Sequence, residues 1–185
     1  MKKTTLAILT MSMLAASSAM AATEVSLNGY INDLTQTVSG SQTGTDAVTN
    51  INGAFGYYFT PQLVGRVVAN VYNDVNTPTT GSSTTTTMEA IGVGAKYYFD
   101  SPAKGAEVLF VFGDVSALSI ASGSGANATT GSGAQVDFGA GLSSFLTESV
   151  SFDFDLKYVD NSYTISGFSI DSSGVQFDFG LTARF

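Results

Sequence analysis

The chain has 185 residues, enough for one domain. Fifteen acids face seven Lys and Arg, a formal net charge of −8, which argues against a nucleic-acid partner because phosphates are bound through cations. Cysteine and histidine are both absent, which removes disulfides, Ser-His-Asp and Cys-His catalysis and the usual zinc sites.

Residues 1–21 read as a cleaved signal peptide. Lys2 and Lys3 form its charged start, residues 6–16 an apolar core too short to span as a helix, and Ala19-Met20-Ala21 a small-x-small cleavage signature. Cleavage before Ala22 leaves residues 22–185 as one domain, with five cations against fifteen acids and a net charge of −10. No later stretch is apolar for long enough to make a transmembrane helix, so any membrane span must be a strand.

Side chains alternate across a strand with period two, and that period runs through the rest of the chain. A first strand over 24–34 sets Val25, Leu27, Gly29 and Ile31 against Ser26, Asn28, Tyr30 and Asn32. After a polar loop at 37–46, a second strand over 47–59 sets Ile51, Phe55, Tyr57 and Phe59 against Asn50, Asn52, Ala54, Gly56 and Tyr58. Thr60-Pro61-Gln62 turns the chain, with proline where no ladder donor is needed. A third strand over 63–72 sets Leu63, Val67, Ala69 and Val71 against Arg66, Asn70 and Tyr72.

A long Thr/Ser/Gly/Asn loop is expected at 73–86. Asn73, Asp74 and Asn76 there offer oxygen ligands for calcium, although loops commonly carry such residues and no metal site is assigned. A fourth strand over 87–99 sets Ile91, Val93, Ala95, Tyr97 and Phe99 against Gly92, Gly94, Lys96 and Tyr98. Strand five, 106–118, is apolar on both faces through Val108-Leu109-Phe110-Val111-Phe112. Val108, Phe110 and Phe112 are taken as outward, with a bulge near Gly113.

A further Ser/Gly/Ala/Thr loop covers 119–133. Strand six, 134–146, sets Val136, Phe138, Ala140 and Leu142 against Gln135, Asp137, Gly139, Gly141 and Ser143. Strand seven, 150–160, sets Val150, Phe152, Phe154, Leu156 and Tyr158 against Ser151, Asp153, Asp155 and Lys157. A last loop is expected at 161–173. The terminal strand, 174–185, alternates without a slip, with Val175, Phe177, Phe179, Leu181, Ala183 and Phe185 opposite Gln176, Asp178, Gly180, Thr182 and Arg184. Its dozen residues are long for a soluble strand and suit a tilted bilayer crossing.

The expected fold class is all-β: an eight-stranded antiparallel up-and-down transmembrane β-barrel with short periplasmic turns and four long extracellular loops. An internal echo supports the register. Gly56-Tyr57-Tyr58-Phe59-Thr60-Pro61 recurs as Lys96-Tyr97-Tyr98-Phe99-Asp100 about forty residues on. The echo places Tyr57, Phe59, Tyr97 and Phe99, with Phe152 and Phe185, in an aromatic girdle at the short-turn end.

Alternation alone leaves open which face meets water. A soluble barrel would carry its apolar face inward and many charges outside. The polar face here is instead rich in Gly, Ala, Asn and Ser, which suits the narrow interior of an eight-stranded barrel. Arg66, Lys96, Glu107, Asp137, Asp153, Asp155, Lys157, Asp178 and Arg184 all fall on that face in the expected register. Buried charges must be paired, so they are expected to form a lumen ionic network. Such a network serves either as a structural filling or as a gated ion path. The Asp153-x-Asp155 spacing would also suit a catalytic carboxylate pair, but a strand puts both on one face regardless.

The strand count, the terminal Phe185 and the Gly-Tyr-Tyr-Phe-Thr-Pro hairpin resemble the small outer-membrane barrels of the OmpA-transmembrane, OmpX/Ail and opacity-type porin group. The resemblance covers residues 22–185 and is one of pattern. It implies a bacterial outer-membrane location, contact with outer-membrane lipids and lipopolysaccharide, a monomer, and no cofactor. It also implies that the assembly machinery reads the last strand, through Phe177, Phe179, Leu181 and Phe185. Unlike OmpA, the chain stops at the barrel, so anchoring to peptidoglycan through a C-terminal domain is not expected. Barrel enzymes of similar size rely on histidine, so catalysis is not expected either. Two functions remain: a non-enzymatic scaffold that displays polar surface loops for membrane integrity, adhesion or surface interaction, and a narrow pore for ions or small solutes.

Overall fold

The computed structural model describes residues 23–38, 41–78, 82–101, 103–123 and 128–185, with the side chains of 31–46 excepted. The signal segment lies outside the described residues. Eight strands follow in order: β1 (Thr23–Val38), β2 (Ser41–Tyr58), β3 (Leu63–Pro78), β4 (Thr84–Tyr98), β5 (Glu107–Gly123), β6 (Thr129–Phe145), β7 (Val150–Ile165) and β8 (Phe168–Arg184). Each pairs antiparallel with its sequence neighbours, and β1 pairs with β8 to close the barrel. Closure pairs the two edges that an open sheet would leave free, from Glu24 opposite Arg184 to Gly29 opposite Phe179.

The strands are longer than their apolar stretches. All eight run through the polar segments expected to be long loops, so β7 and β8 meet at the two residues Ser166 and Gly167. Both have positive φ, 52° and 81°, the twist that a two-residue hairpin requires. Most described residues of the four expected long loops are therefore corrected to paired strand extensions, while 39–40, 79–81 and 124–127 lie outside the described residues. Thr, Ser and Asn at these positions bond across the ladder as well as apolar residues do, and the hydropathy that marks a span says nothing about where pairing stops.

On the outer surface, Ile91, Val93 and Tyr97 of β4 and Phe99 just beyond it are exposed, as are Val175, Phe177, Phe179 and Leu181 of β8 and their counterparts on the other strands. This belt occupies about 9–11 residues per strand, the length of a tilted bilayer crossing. Above it the outward positions turn polar, with Glu89, Ser119, Ser132, Asp160, Ser162 and Asp171 exposed. The belt sits toward the end that carries the connections 59–62, 99–106 and 146–149, here called the lower end. A continuous apolar girdle of this extent is unstable against water and stable against lipid.

Strand five is the one reversal. Val108, Phe110, Leu118 and Ile120 are buried inside, while Leu109, Val111 and Val115 are exposed outside. The pairing of β5 with β4 and β6 also runs through Gly113 without a shift, so no bulge is present. The lower lumen supplies the reason. Val108 and Phe110 pack there with Val64, Tyr98 and Phe145 into an apolar plug, and Gly141 on β6 leaves the space that the Phe110 ring fills.

Candidate functional site in the lumen

The inner face carries a ladder of charges, set there by the same alternation that puts the aliphatic residues outside. At the lower rim, Glu24 of β1 lies beside Arg184 of β8, with Nε to Oε2 at 3.7 Å. Tyr58 and Tyr98 donate their hydroxyls to Glu24 Oε2 at 2.7 and 3.1 Å. The Arg184 guanidinium makes no hydrogen bond and lies 4.1 Å from the centre of the Phe145 ring and 4.9 Å from that of Tyr98. Ring faces attract such a cation when water is excluded.

One step up, Lys96 Nζ donates to Asp153 Oδ2 at 2.9 Å. The same carboxylate accepts from Ser143 at 2.7 Å, Ser151 at 2.9 Å and Thr182 at 2.7 Å. It is completely buried, and four donors replace its water. Both oxygens of Asp153 are thus occupied as acceptors, whereas Asp155 Oδ1 has no partner.

The middle of the lumen holds two more ion pairs. Lys157 meets Asp178 at 2.8 Å, and Asn52 and Gln176 donate to the same carboxylate at 3.0 and 2.7 Å. Arg66 grips Asp114 through two nitrogens, with Nε at 2.8 Å from Oδ1, and covers the Phe112 ring at 4.5 Å. Asp155 accepts from Asn28 at 3.2 Å, and Gln135 caps both oxygens of Asp137 at 2.9 and 2.8 Å. The fork-on-carboxylate geometry of Arg66 and Asp114 is the stronger kind of ion pair. Room for it comes from Gly94 on β4: a Cβ there would sit 1.9 Å from Asp114 Oδ1.

Eight of the nine expected lumen residues are thus inward: Arg66, Lys96, Asp137, Asp153, Asp155, Lys157, Asp178 and Arg184. Glu107 is not. It is exposed on the outer face of β5, because the whole strand faces opposite to expectation. The same reversal hid Asp114, which shares the parity of Val108 and Phe110. Glu24 was also missed, although its parity with Ser26 and Asn28 carried the signal. Of the loop residues weighed as oxygen ligands, Asn73 accepts from Thr87 at 2.8 Å across the β3–β4 ladder, and strand alternation sends Asp74 to the opposite face.

The expected girdle residues Tyr57, Phe59, Tyr97, Phe99, Phe152 and Phe185 all face outward and are exposed at the lower end. Tyr57 with Phe59 and Tyr97 with Phe99 form edge-to-face pairs, each with ring centres 5.6 Å apart. Phe185 is bonded to the first strand, its N–H donating to the Thr23 carbonyl at 3.0 Å and its carbonyl accepting from Thr23 at 3.3 Å.

Above the ion pairs the lumen widens into a cavity of about 590 Å³, lined by Tyr30, Asn50, Asn70, Tyr72, Gln135, Asn161 and residues 172–177, with Met88, Ala90, Leu118 and Val159 on the remaining wall. Below it, a second cavity of about 50 Å³ lies among the charged groups.

No protein-family profile matches the chain, and no curated protein sequence does. Solved structures do. The N-terminal β-barrel domain of OprF from Pseudomonas aeruginosa is similar at TM-score 0.52 and 15% identity, over 88% of this chain and 96% of that one. Neisserial surface protein A is similar at TM-score 0.57 and 16% identity, also over 88% of this chain and 96% of that one. The chain therefore has the fold of the small eight-stranded outer-membrane β-barrels.

Proposed function

We propose that the chain is a non-conducting outer-membrane scaffold. Its lower end would face the periplasm, and its polar strand extensions would stand above the membrane to meet lipopolysaccharide or a surface partner. The observation that carries this reading is the plug: Val64, Tyr98, Phe110 and Phe145 fill the lower lumen, and Arg184 and Lys96 are held against its rings. An eight-stranded barrel has just enough interior for such a filling. The reading is non-catalytic, and its support is that Asp114, Asp137, Asp153 and Asp178 have both carboxylate oxygens bonded.

In this reading residues 1–21 are the export signal, and the assembly machinery reads the outward residues Phe177, Phe179, Leu181 and Phe185. The barrel acts as a monomer without a cofactor. The narrow-pore alternative is tested by planar-bilayer conductance of the refolded barrel. A silent barrel that shifts on a gel when heated supports the scaffold. Stable openings that change with Arg66→Ala or Asp178→Ala overturn it in favour of the pore.

A further inference from the structure

The ladder that closes the barrel is much shorter than the others. β1 and β8 pair only from Glu24 opposite Arg184 to Gly29 opposite Phe179. The β7–β8 ladder, by comparison, runs from Val150 opposite Ala183 to Ile165 opposite Phe168. Above Gly29 and Phe179 the two strands continue without pairing to each other, which leaves a seam in the upper wall. Unpaired backbone at membrane depth is tolerated where it lines a polar cavity. The 590 Å³ cavity reaches that seam. A cavity touching β8 only from inside would meet alternate residues, yet this one meets Ser172, Ser173, Gly174, Val175, Gln176 and Phe177 in succession, with Tyr30 of β1 opposite. Val175 and Phe177 belong to the outer apolar belt and are 70% and 58% exposed.

The cavity wall has a definite chemistry. Among its described residues none is charged. Asn50 is 3% exposed; its amide nitrogen donates to Gln176 at 3.5 Å, and its Oδ1 has no partner. Asn70 Oδ1 and Asn161 Oδ1 are buried and equally unpartnered. Gln135 and Gln176 send their amide donors down to Asp137 and Asp178. Asn50, Asn70, Asn161, Gln135 and Gln176, with Tyr30 and Tyr72, thus line one side of the cavity, opposite an apolar patch of Met88, Ala90 and Leu118. Amide and phenol side chains both donate and accept, so they suit hydroxyls, which bring no further charge into the site.

We propose that this cavity binds the uncharged, hydroxyl-rich headgroup of an amphiphile, a sugar-like group whose acyl or alkyl chain leaves through the β1–β8 seam and lies on Val175 and Phe177. The assignment rests on the bilayer placement proposed above. Its size falls within the usual range of roughly 300–1,000 Å³ for small-molecule sites.

The test uses the barrel in phospholipid nanodiscs and follows the backbone amides of Gln176 and Phe177 and the side-chain amide of Asn50 by NMR. Dodecyl maltoside below its micellar concentration should shift all three saturably. Maltose and dodecylammonium should not. Asn50→Leu with Asn161→Leu removes two lining amides and should weaken binding about tenfold or more, about 1.4 kcal/mol. Gly174→Trp gives a second variant, because a Cβ there meets nothing within 4 Å and the ring it carries is introduced at the cavity wall. It should abolish the shifts even if the double variant does not fold. Equal binding of maltose, preference for dodecylammonium, or undiminished binding by Gly174→Trp would each overturn the proposal. Heat-modifiable migration of the same samples reports separately whether the barrel has folded.

Discussion

Lys96 on β4 and Asp153 on β7 meet across the lumen at 2.9 Å, with side chains 3% and 0% exposed. Between them they tie opposite walls of the barrel at the top of the apolar plug. Removing the cation by Lys96→Ala leaves a buried carboxylate with three hydroxyl donors and no countercharge, which should cost about 3–5 kcal/mol. Pairing it with Asp153→Asn should recover much of that loss, because the uncharged amide keeps an acceptor for Ser143, Ser151 and Thr182. Urea unfolding in vesicles followed by circular dichroism measures both. A double variant as unstable as the single one would show that the pair does more than satisfy its own charges.

Gly94→Ala probes the middle of the ladder. The added methyl would meet Asp114 Oδ1 at 1.9 Å and the Gly113 carbonyl at 2.3 Å. One of these is backbone and cannot swing away, so overpacking of about 1–3 kcal/mol is expected. Gly174→Ala serves as the control, with nothing within 4 Å of the new atom. Equal stability of the two variants in the same unfolding experiment would contradict the packed-lumen description.

Phe185→Asp separates stability from assembly. At the membrane rim an acidic residue should cost only about 0–1 kcal/mol, so refolding into detergent should be near normal. The variant should nevertheless accumulate in the periplasm and be degraded in cells if the last strand is read during insertion. Normal surface levels of Phe185→Asp in fractionated cells would remove Phe185 from the assembly signal.

The facing of seven strands was readable because each has one apolar and one polar face, as β8 does from Val175 to Phe185. β5 was not readable. Val108-Leu109-Phe110-Val111-Phe112 satisfies either facing, and only the plug formed with Val64, Tyr98 and Phe145 from distant strands decides between them. That one ambiguity carried Glu107 into the expected ionic network and kept Asp114 out of it. Strand ends were hidden for a different reason: Thr and Ser at 84–87 and 161–164 pair in the ladder without an apolar signature. The shortened β1–β8 ladder depends on closure of the whole barrel, which no local pattern encodes.

The chain contains no tryptophan, so single replacements give one fluorophore each and report directly which face of the barrel meets lipid. Phe154 is 43% exposed on the outer belt and Phe110 is 1% exposed in the plug. In vesicles of brominated phospholipid, Phe154→Trp should be strongly quenched and Phe110→Trp should keep its emission. Quenching of Phe110→Trp with Phe154→Trp left bright would mean that the apolar belt does not face the bilayer.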